Sequence, residues 1–327
     1  MNILVTGGAG FIGSYICRLL LKQGHDVVVL DDLSTGRYEN VREIDDGKHF
    51  RLIVDKVNHR SVTEQCVREA DCVFHLASAV GVRLIIEQPV HTLESIVGGT
   101  EIVLDACARY RRPFLLTSTS EVYGKSTKVP FCEEDDTVMG PTCKRRWSYA
   151  AAKMLDEFLA LAHWVETSQP VVVARLFNTV GPRQTGQYGM VVPSFVRQAL
   201  SGKPITVYGT GKQSRCFAHV EDVSNALVNL MACTEARGKV VNIGNNEEVT
   251  ILELAQRVKK LTNSNSEIKI IPYSEAYGEG FDDMERRVPS IQRAHDLFGY
   301  KPTKHLDDIL NDVIAYESNE MKRNGTC

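Results

Sequence analysis

Asn2-Ile3-Leu4-Val5-Thr6-Gly7-Gly8-Ala9-Gly10-Phe11-Ile12-Gly13 decides the fold of this chain. Residues 2–6 are apolar and short enough for a buried strand. Three glycines follow at once with the spacing Gly7-x-x-Gly10-x-x-Gly13. From Ser14 to Gln23 the apolar residues Ile16, Leu19 and Leu20 recur at helical spacing, and Gly24 stops the run. Strand, glycine turn and helix in immediate succession lift a glycine pattern well above a chance match. Glycines let backbone N–H groups approach a pyrophosphate, and the helix N-terminus adds a favourable dipole.

Outward from that stretch the same unit repeats. Asp26–Leu30 reads as a second strand, closed by Asp31-Asp32. An acidic residue about 20 positions past the glycines suits the two ribose hydroxyls of NAD. Asp31 repels a 2'-phosphate, and Arg37 is the one basic residue nearby, so NAD is preferred to NADP. Strands follow at 51–55, 72–77, 113–118 and 171–177, with helices at 62–69 and 92–110 between them. Such alternation predicts an α/β fold, a Rossmann-type doubly wound parallel sheet with right-handed crossovers. His75 falls inside a strand and is expected in the core.

Ser148-Tyr149-Ala150-Ala151-Ala152-Lys153 carries the chemistry. Tyr and Lys four apart share one helix face. A neighbouring ammonium favours phenolate over phenol, which turns Tyr149 into a general base. In isolation such a pair is most often a surface pair; the cofactor fold upstream changes its meaning. Thr119-Ser120-Glu121 follows the fifth strand, at the carboxyl end where ligands of such sheets collect.

These motifs, with His75-Leu76-Ala77, Ser118–Gly124 and Asn178-Thr-Val-Gly-Pro-Arg183, resemble the extended short-chain dehydrogenase/reductase family acting on nucleotide sugars. The resemblance covers nearly the whole chain. It implies that Thr119, Tyr149 and Lys153 remove the sugar C4 hydroxyl proton while hydride passes to NAD. Thr119-Ser120-Glu121 is similar to the UDP-glucuronate decarboxylase branch, where the 4-keto sugar is a β-keto acid that loses CO2. Ser120 stands where dehydratases carry an acidic proton donor. Lys144–Tyr149 and Tyr277–Ser290 resemble segments of the same branch and mark Arg287 as an active-site residue. A 4-epimerase acting on a UDP-hexose or hexuronate is the alternative. A 4,6-dehydratase and a non-catalytic NAD-binding regulator are weaker ones.

By the same resemblance, cofactor contacts fall at Gly7, Gly10, Phe11, Ile12, Gly13, Asp31, Asp32, Thr35, Gly36, Asp55, Leu76, Ala77, Tyr149 and Lys153. Contacts to the UDP-sugar fall at Arg83, Asn178, Val192, Tyr208, Gln213, Arg215 and Arg287. Residues 1–178, with 218–245 returning, are expected to bind NAD. Residues 179–217 and 246–320 are expected to form a smaller C-terminal substrate-binding lobe, with a polar tail at 321–327. Relatives pair two long helices per subunit, which makes 92–110 and 149–165 the expected homodimer faces.

The remaining composition excludes several classes. Of 327 residues, 43% are hydrophobic and 24% charged, and the net charge is -3, ordinary for a globular protein. No long block of like charge points to nucleic acid or an anionic membrane. The nine cysteines are scattered without a Cys-x-x-Cys pair, so neither a metal site nor a disulfide framework is expected. With no signal segment after Met1 and no membrane-length apolar run, a cytoplasmic enzyme is expected.

Overall fold

The structure, a computed structural model, describes residues 1–78, 88–185, 190–277 and 283–323. Seven strands form one parallel sheet: β1 (Asn2–Thr6), β2 (Asp26–Asp31), β3 (Phe50–Val54), β4 (Cys72–His75), β5 (Phe114–Thr119), β6 (Val171–Leu176) and β11 (Val240–Ile243). Their order is β11-β6-β5-β4-β1-β2-β3. The direction of winding therefore reverses between β1 and β4, and a crevice opens there beyond the strand ends. Val5 pairs with Val29 on one side and Phe74 on the other, so Thr6, Leu30 and His75 end level.

Helices cover both faces: α1 (Phe11–Lys22), α2 (Arg60–Glu69), α3 (Pro89–Tyr110), α4 (Ser148–Thr167) and α6 (Val220–Ala232). α1 packs on α6 over one face of the sheet, and α2, α3 and α4 pack side by side over the other. The strand residues are apolar on both sides, as burial on two faces requires. Two cores result. Ile3, Val5, Val29 and Phe74 meet Ile16 and Leu20 of α1. Leu4, Leu30 and Leu116 meet Val103, Leu104 and Ala160 of α3 and α4.

A separate core gathers α5 (Val191–Leu200), α7 (Ile251–Leu261) and α10 (Leu306–Arg323) around Phe195, Leu254 and Ile309. Thr250 caps α7 through a reciprocal capping box with Glu253, as its Thr-x-x-Glu spacing dictates. Two small sheets edge this lobe. β8 (Ile205–Tyr208) pairs with β13 (Ile268–Ile271). β9 (Ser214–Cys216) lies between β12 (Glu248–Thr250) and β14 (Arg286–Arg287). Ala294 of α9 (Gln292–Phe298) and Tyr300 pack in the first core, against the main sheet.

Element edges moved by a few residues. α1 begins at Phe11, because Gly10 is the last extended residue and its carbonyl already accepts from Ser14 N. α10 runs to Arg323, well past Tyr316, with Glu317 buried against Arg197. Strand β13 was not read from the sequence; its Lys269 is exposed and the strand pairs on one side only.

Candidate active site

The glycine turn is built for close approach. Gly7 has φ +72, and a Cβ there would lie 2.7 Å from Ala77 N. A Cβ on Gly13 would lie 2.2 Å from Gly7 O, inside the turn itself. Gly10 differs: the sole neighbour of a Cβ there is Gly7 O at 3.1 Å, so its outer side faces open space. No side chain caps α1 and its first turn carries no acid, so its N–H groups remain available to an anion. Phe11 and Ile12 are half-buried in that first turn.

Asp31 is buried beneath the turn and accepts from Ala9 N and Leu33 N, both at 2.9 Å. Burial pushes its carboxyl above the usual range. Each oxygen keeps a second lone pair for a ribose hydroxyl. Asp32 is exposed and accepts from Ser34 N; Thr35 is exposed, while Gly36 packs on the Asp31 carboxyl. Leu76 N and Ala77 N bond back to Thr6 at the end of β1. Asp55 is engaged locally, with Lys56 N and with the His59 ring at 2.8 Å. The turn, the uncapped helix and the buried carboxylate fit a dinucleotide.

Beyond β5, Thr119 accepts from Glu121 N at 3.3 Å and starts the turn Ser120–Tyr123, which packs against α4. Ser120 is buried. Tyr149 and Lys153 lie one turn apart on α4, both inward. The environment of Tyr149 differs from the sequence expectation. Burial first, then the carboxylates of Glu121 and Asp156, raise its pKa, against the opposing pull of Arg146 and the Ser78 hydroxyl. Lys153 Nζ is bonded to Asp156 Oδ2 at 2.9 Å, so its charge is shared with a carboxylate. Ile96 packs directly on the same cluster and keeps it dry. His75 is buried in the core, as read, and burial drops its pKa to about 3.

Glu121 binds two arginines. Arg146, at the entry to α4, holds one oxygen, and Arg287 approaches the other at 3.4 Å. Asp283 ties the group to the lobe: Arg215 lies at 2.8 Å, Arg287 at 3.4 Å and Arg146 at 3.6 Å. The register explains the convergence, because Arg287 of β14 pairs with Arg215 of β9. Burial alone would raise both carboxyls, but the guanidiniums override it and hold them below the usual range. Arg215 drops to about 10, through burial and the neighbouring Arg287. Three guanidiniums against two carboxylates leave one positive charge, and Nε of Arg146 and of Arg287 has no partner among the described residues. Such a pocket accepts anionic groups.

The other substrate-side residues play varied parts. Asn178 Nδ2 donates to Cys216 O, joining the sheet to β9. Gln213 Nε2 donates to Tyr208 O and closes the turn between β8 and β9. Tyr208 is half-exposed beside it. The Val192 side chain is fully buried in the lobe core, so any ligand meets the backbone there. Arg83 lies outside the described residues. Arg146, Asp283 and Asp156 are the residues that sequence reasoning left without a role. Arg146 and Asp283 stood in quoted segments, without a role of their own; Asp156 gave no signal except proximity to the Tyr–Lys pair.

Among the described residues no cluster of His, Cys, Asp and Glu is arranged to hold a metal, and no helix is long and apolar enough to cross a membrane. A parallel sheet with a dinucleotide turn and a buried Tyr–Lys pair defines an NAD-dependent enzyme of the short-chain dehydrogenase/reductase type. The sequence profile of the NAD dependent epimerase/dehydratase family matches residues 3–244, and the chain belongs to that family. It is 36% identical to the UDP-N-acetyl-alpha-D-glucosaminuronate decarboxylase of Bacillus cytotoxicus, over 96% of each chain. Against UDP-glucuronic acid decarboxylase 1 of Danio rerio it is 39% identical over 98% of this chain and 73% of that protein. The UDP-glucuronic acid 4-epimerase of Bacillus cereus, solved with UDP-glucuronic acid and NAD, superposes with a TM-score of 0.87 at 27% identity. That match covers 98% of this chain and 100% of the epimerase.

Proposed function

We propose that the protein decarboxylates a UDP-hexuronate, with UDP-glucuronate as substrate and a UDP-pentose as product. The observation that carries this reading is the buried Arg146–Arg215–Arg287 group beside Tyr149, which among the described residues has one more positive charge than its carboxylates. A UDP-hexuronate brings both a diphosphate and a carboxylate to such a group. The two curated relatives named above are decarboxylases of UDP-hexuronates, one of them 2-acetamido substituted. That makes UDP-N-acetylglucosaminuronate the second substrate to try.

In this reading the Thr119 hydroxyl, whose oxygen already accepts from Glu121 N, orients the sugar O4. Tyr149, as phenolate, takes the O4 proton. NAD, held by the glycine turn and Asp31, would supply the acceptor for the C4 hydride and its return. The C4 ketone makes the C5 carboxylate a β-keto acid, so the bond from C5 to the carboxylate breaks, CO2 leaves and the electron pair enters an enolate on O4; C5 then takes a proton from water, and the C4 ketone is reduced as its oxygen regains the proton held by Tyr149. The Tyr149 phenol and Thr119 hydroxyl then face that oxygen as donors. Glu121 stays ionised and holds Arg146 and Arg287 in place. Ser120 lacks the acidity to protonate a leaving hydroxyl, which disfavours dehydration.

The protein is further read as a cytoplasmic homodimer. Phe158 and Leu155 on α4 and Val90 on α3 are large apolar side chains left exposed, Phe158 by 64%. The described cysteines are free thiols, which suits a reducing compartment.

The test is incubation of purified protein with UDP-glucuronate, UDP-N-acetylglucosaminuronate and UDP-glucose, with products identified by NMR. Release of CO2 with a UDP-pentose supports the reading; retained carboxylate with UDP-galacturonate overturns it. Tyr149→Phe is expected to lower kcat by about 10²–10⁴-fold with NAD still bound.

A further inference from the structure

Asp156 is a charged side chain that the proposed chemistry does not use. It sits on α4 one turn past Lys153, with no exposed surface, and accepts from Lys153 Nζ at 2.9 Å. Its second oxygen, Oδ1, is buried without a hydrogen bond of good geometry. Burial pushes the Asp156 carboxyl above its usual range, while the Lys153 ammonium and the Thr100 hydroxyl of α3 pull it back toward the charged form. Thr100 Oγ1 also meets His75 Nε2 at 3.2 Å, and His75 Nδ1 meets Thr6 Oγ1 at 2.8 Å. Thr6 is the residue before Gly7. A buried polar chain therefore runs from the dinucleotide turn to the catalytic lysine.

A buried carboxylate with an unused oxygen costs several kcal/mol unless an opposite charge compensates it. A simple helix-packing role gives no reason to place a buried charge here. Its position has a consequence for the phenol. Lys153 favours the phenolate, and an anion bound to that same ammonium cancels part of the effect.

We propose that Asp156 is a positioning residue that holds Lys153 as a buried counter-ion and so governs the ionisation of Tyr149. The inference rests on Tyr149 being the base. The charged and titratable groups around the pair are Glu121 from the turn after β5, Arg146 from the entry to α4, His75 from β4 and Glu157 beside Asp156. Glu121 is locked to arginines and His75 stays neutral in the working range, with its pKa at about 3. Asp156 is the remaining anion on α4 whose charge acts on the phenol.

The sign follows directly. An anion near the phenol penalises phenolate, so removing the charge favours it. In the holoenzyme, Asp156→Asn is expected to move the acid limb of the kcat/KM profile down by about one pH unit. The near-ultraviolet phenolate titration of Tyr149, taken as the difference from Tyr149→Phe, is expected to move equally. Thr100→Val, which removes only the hydroxyl facing the carboxylate, is expected to move both the same way by less. A role in folding alone would lower stability and leave both curves in place. Unmoved or upward-shifted curves in Asp156→Asn overturn the inference; if that variant does not fold, unmoved curves in Thr100→Val do so. Undiminished turnover in Tyr149→Phe would instead overturn the assignment of the base, which separates the two failures.

Discussion

Arg175→Met tests what fixes α4 to the sheet. Arg175 of β6 bonds Glu157 of α4 through Nη2 at 2.7 Å and through Nε at 3.1 and 3.2 Å. The two side chains are 8% and 6% exposed. Glu157 also holds the hydroxyl of Ser118, the residue before Thr119. The guanidinium lies 4.8 Å from the centre of the Tyr123 ring, whose hydroxyl reaches Asn242 of β11. Removing Arg175 leaves a buried carboxylate with one neutral donor. Breaking such a pair costs about 3–5 kcal/mol. At about 2.1 cal/mol/K of unfolding entropy per residue, a chain of 327 residues should lose about 4–7 °C at the thermal midpoint. Glu157→Leu alone should cost a comparable amount. The double substitution removes both charges and should return to within about 2 kcal/mol of the parent. Thermal and urea unfolding of the four proteins complete the cycle. A single substitution costing under about 1 kcal/mol, or a double costing the sum of the singles, would refute the reasoning.

Three shorter predictions follow from the same geometry. Glu121 and Asp283 have folded-state pKa values below their ordinary ones, so their contribution is complete above pH about 4.5 and is lost as pH falls through the depressed values. Glu121→Gln should therefore flatten the fall of the urea midpoint in that acid range; an unchanged slope would remove Glu121 from the account. Gly13→Ala places a Cβ 2.2 Å from Gly7 O and should weaken NAD binding by about tenfold or more, about 1.4 kcal/mol, in calorimetry; parental affinity would show that the turn yields freely. Phe158→Asp puts a charge on the exposed apolar face of α4 and should halve the mass seen by light scattering, whereas a parental dimer would place the interface elsewhere.

The sheet and the dinucleotide turn were legible because both are local. The strand 2–6, the glycines and the apolar spacing of α1 lie within a couple of dozen residues, and each needs the next in sequence. Tyr149 and Lys153 were legible for the same reason, as one helical turn. The state of Tyr149 was not, because it depends on Ile96 from α3 and on where Lys153 points. The arginine group was half legible. Arg215 and Arg287 stood in recognisable segments, but their meeting depends on β9 and β14 lying side by side, which no periodicity records. Asp283 acquires meaning from that pairing alone. Val192 shows the opposite limit: a position can sit in a ligand-facing segment while its side chain serves the lobe core.

The two sides of Tyr149 follow opposite electrostatic logic. Toward the lobe, Arg146, Arg215 and Arg287 meet two carboxylates among the described residues, Glu121 and Asp283. Each guanidinium is held before any ligand arrives, so little reorganisation remains for binding to drive. Along α4, the balance differs: Lys153 is paired with Asp156, which offsets part of what the ammonium does for the phenol. The arrangement separates affinity from basicity. In the proposed reading, the arginines of the lobe meet the negative charge of the UDP-sugar. On the helix, the Asp156 charge adds to burial in raising the Tyr149 phenol, against the pull of Arg146.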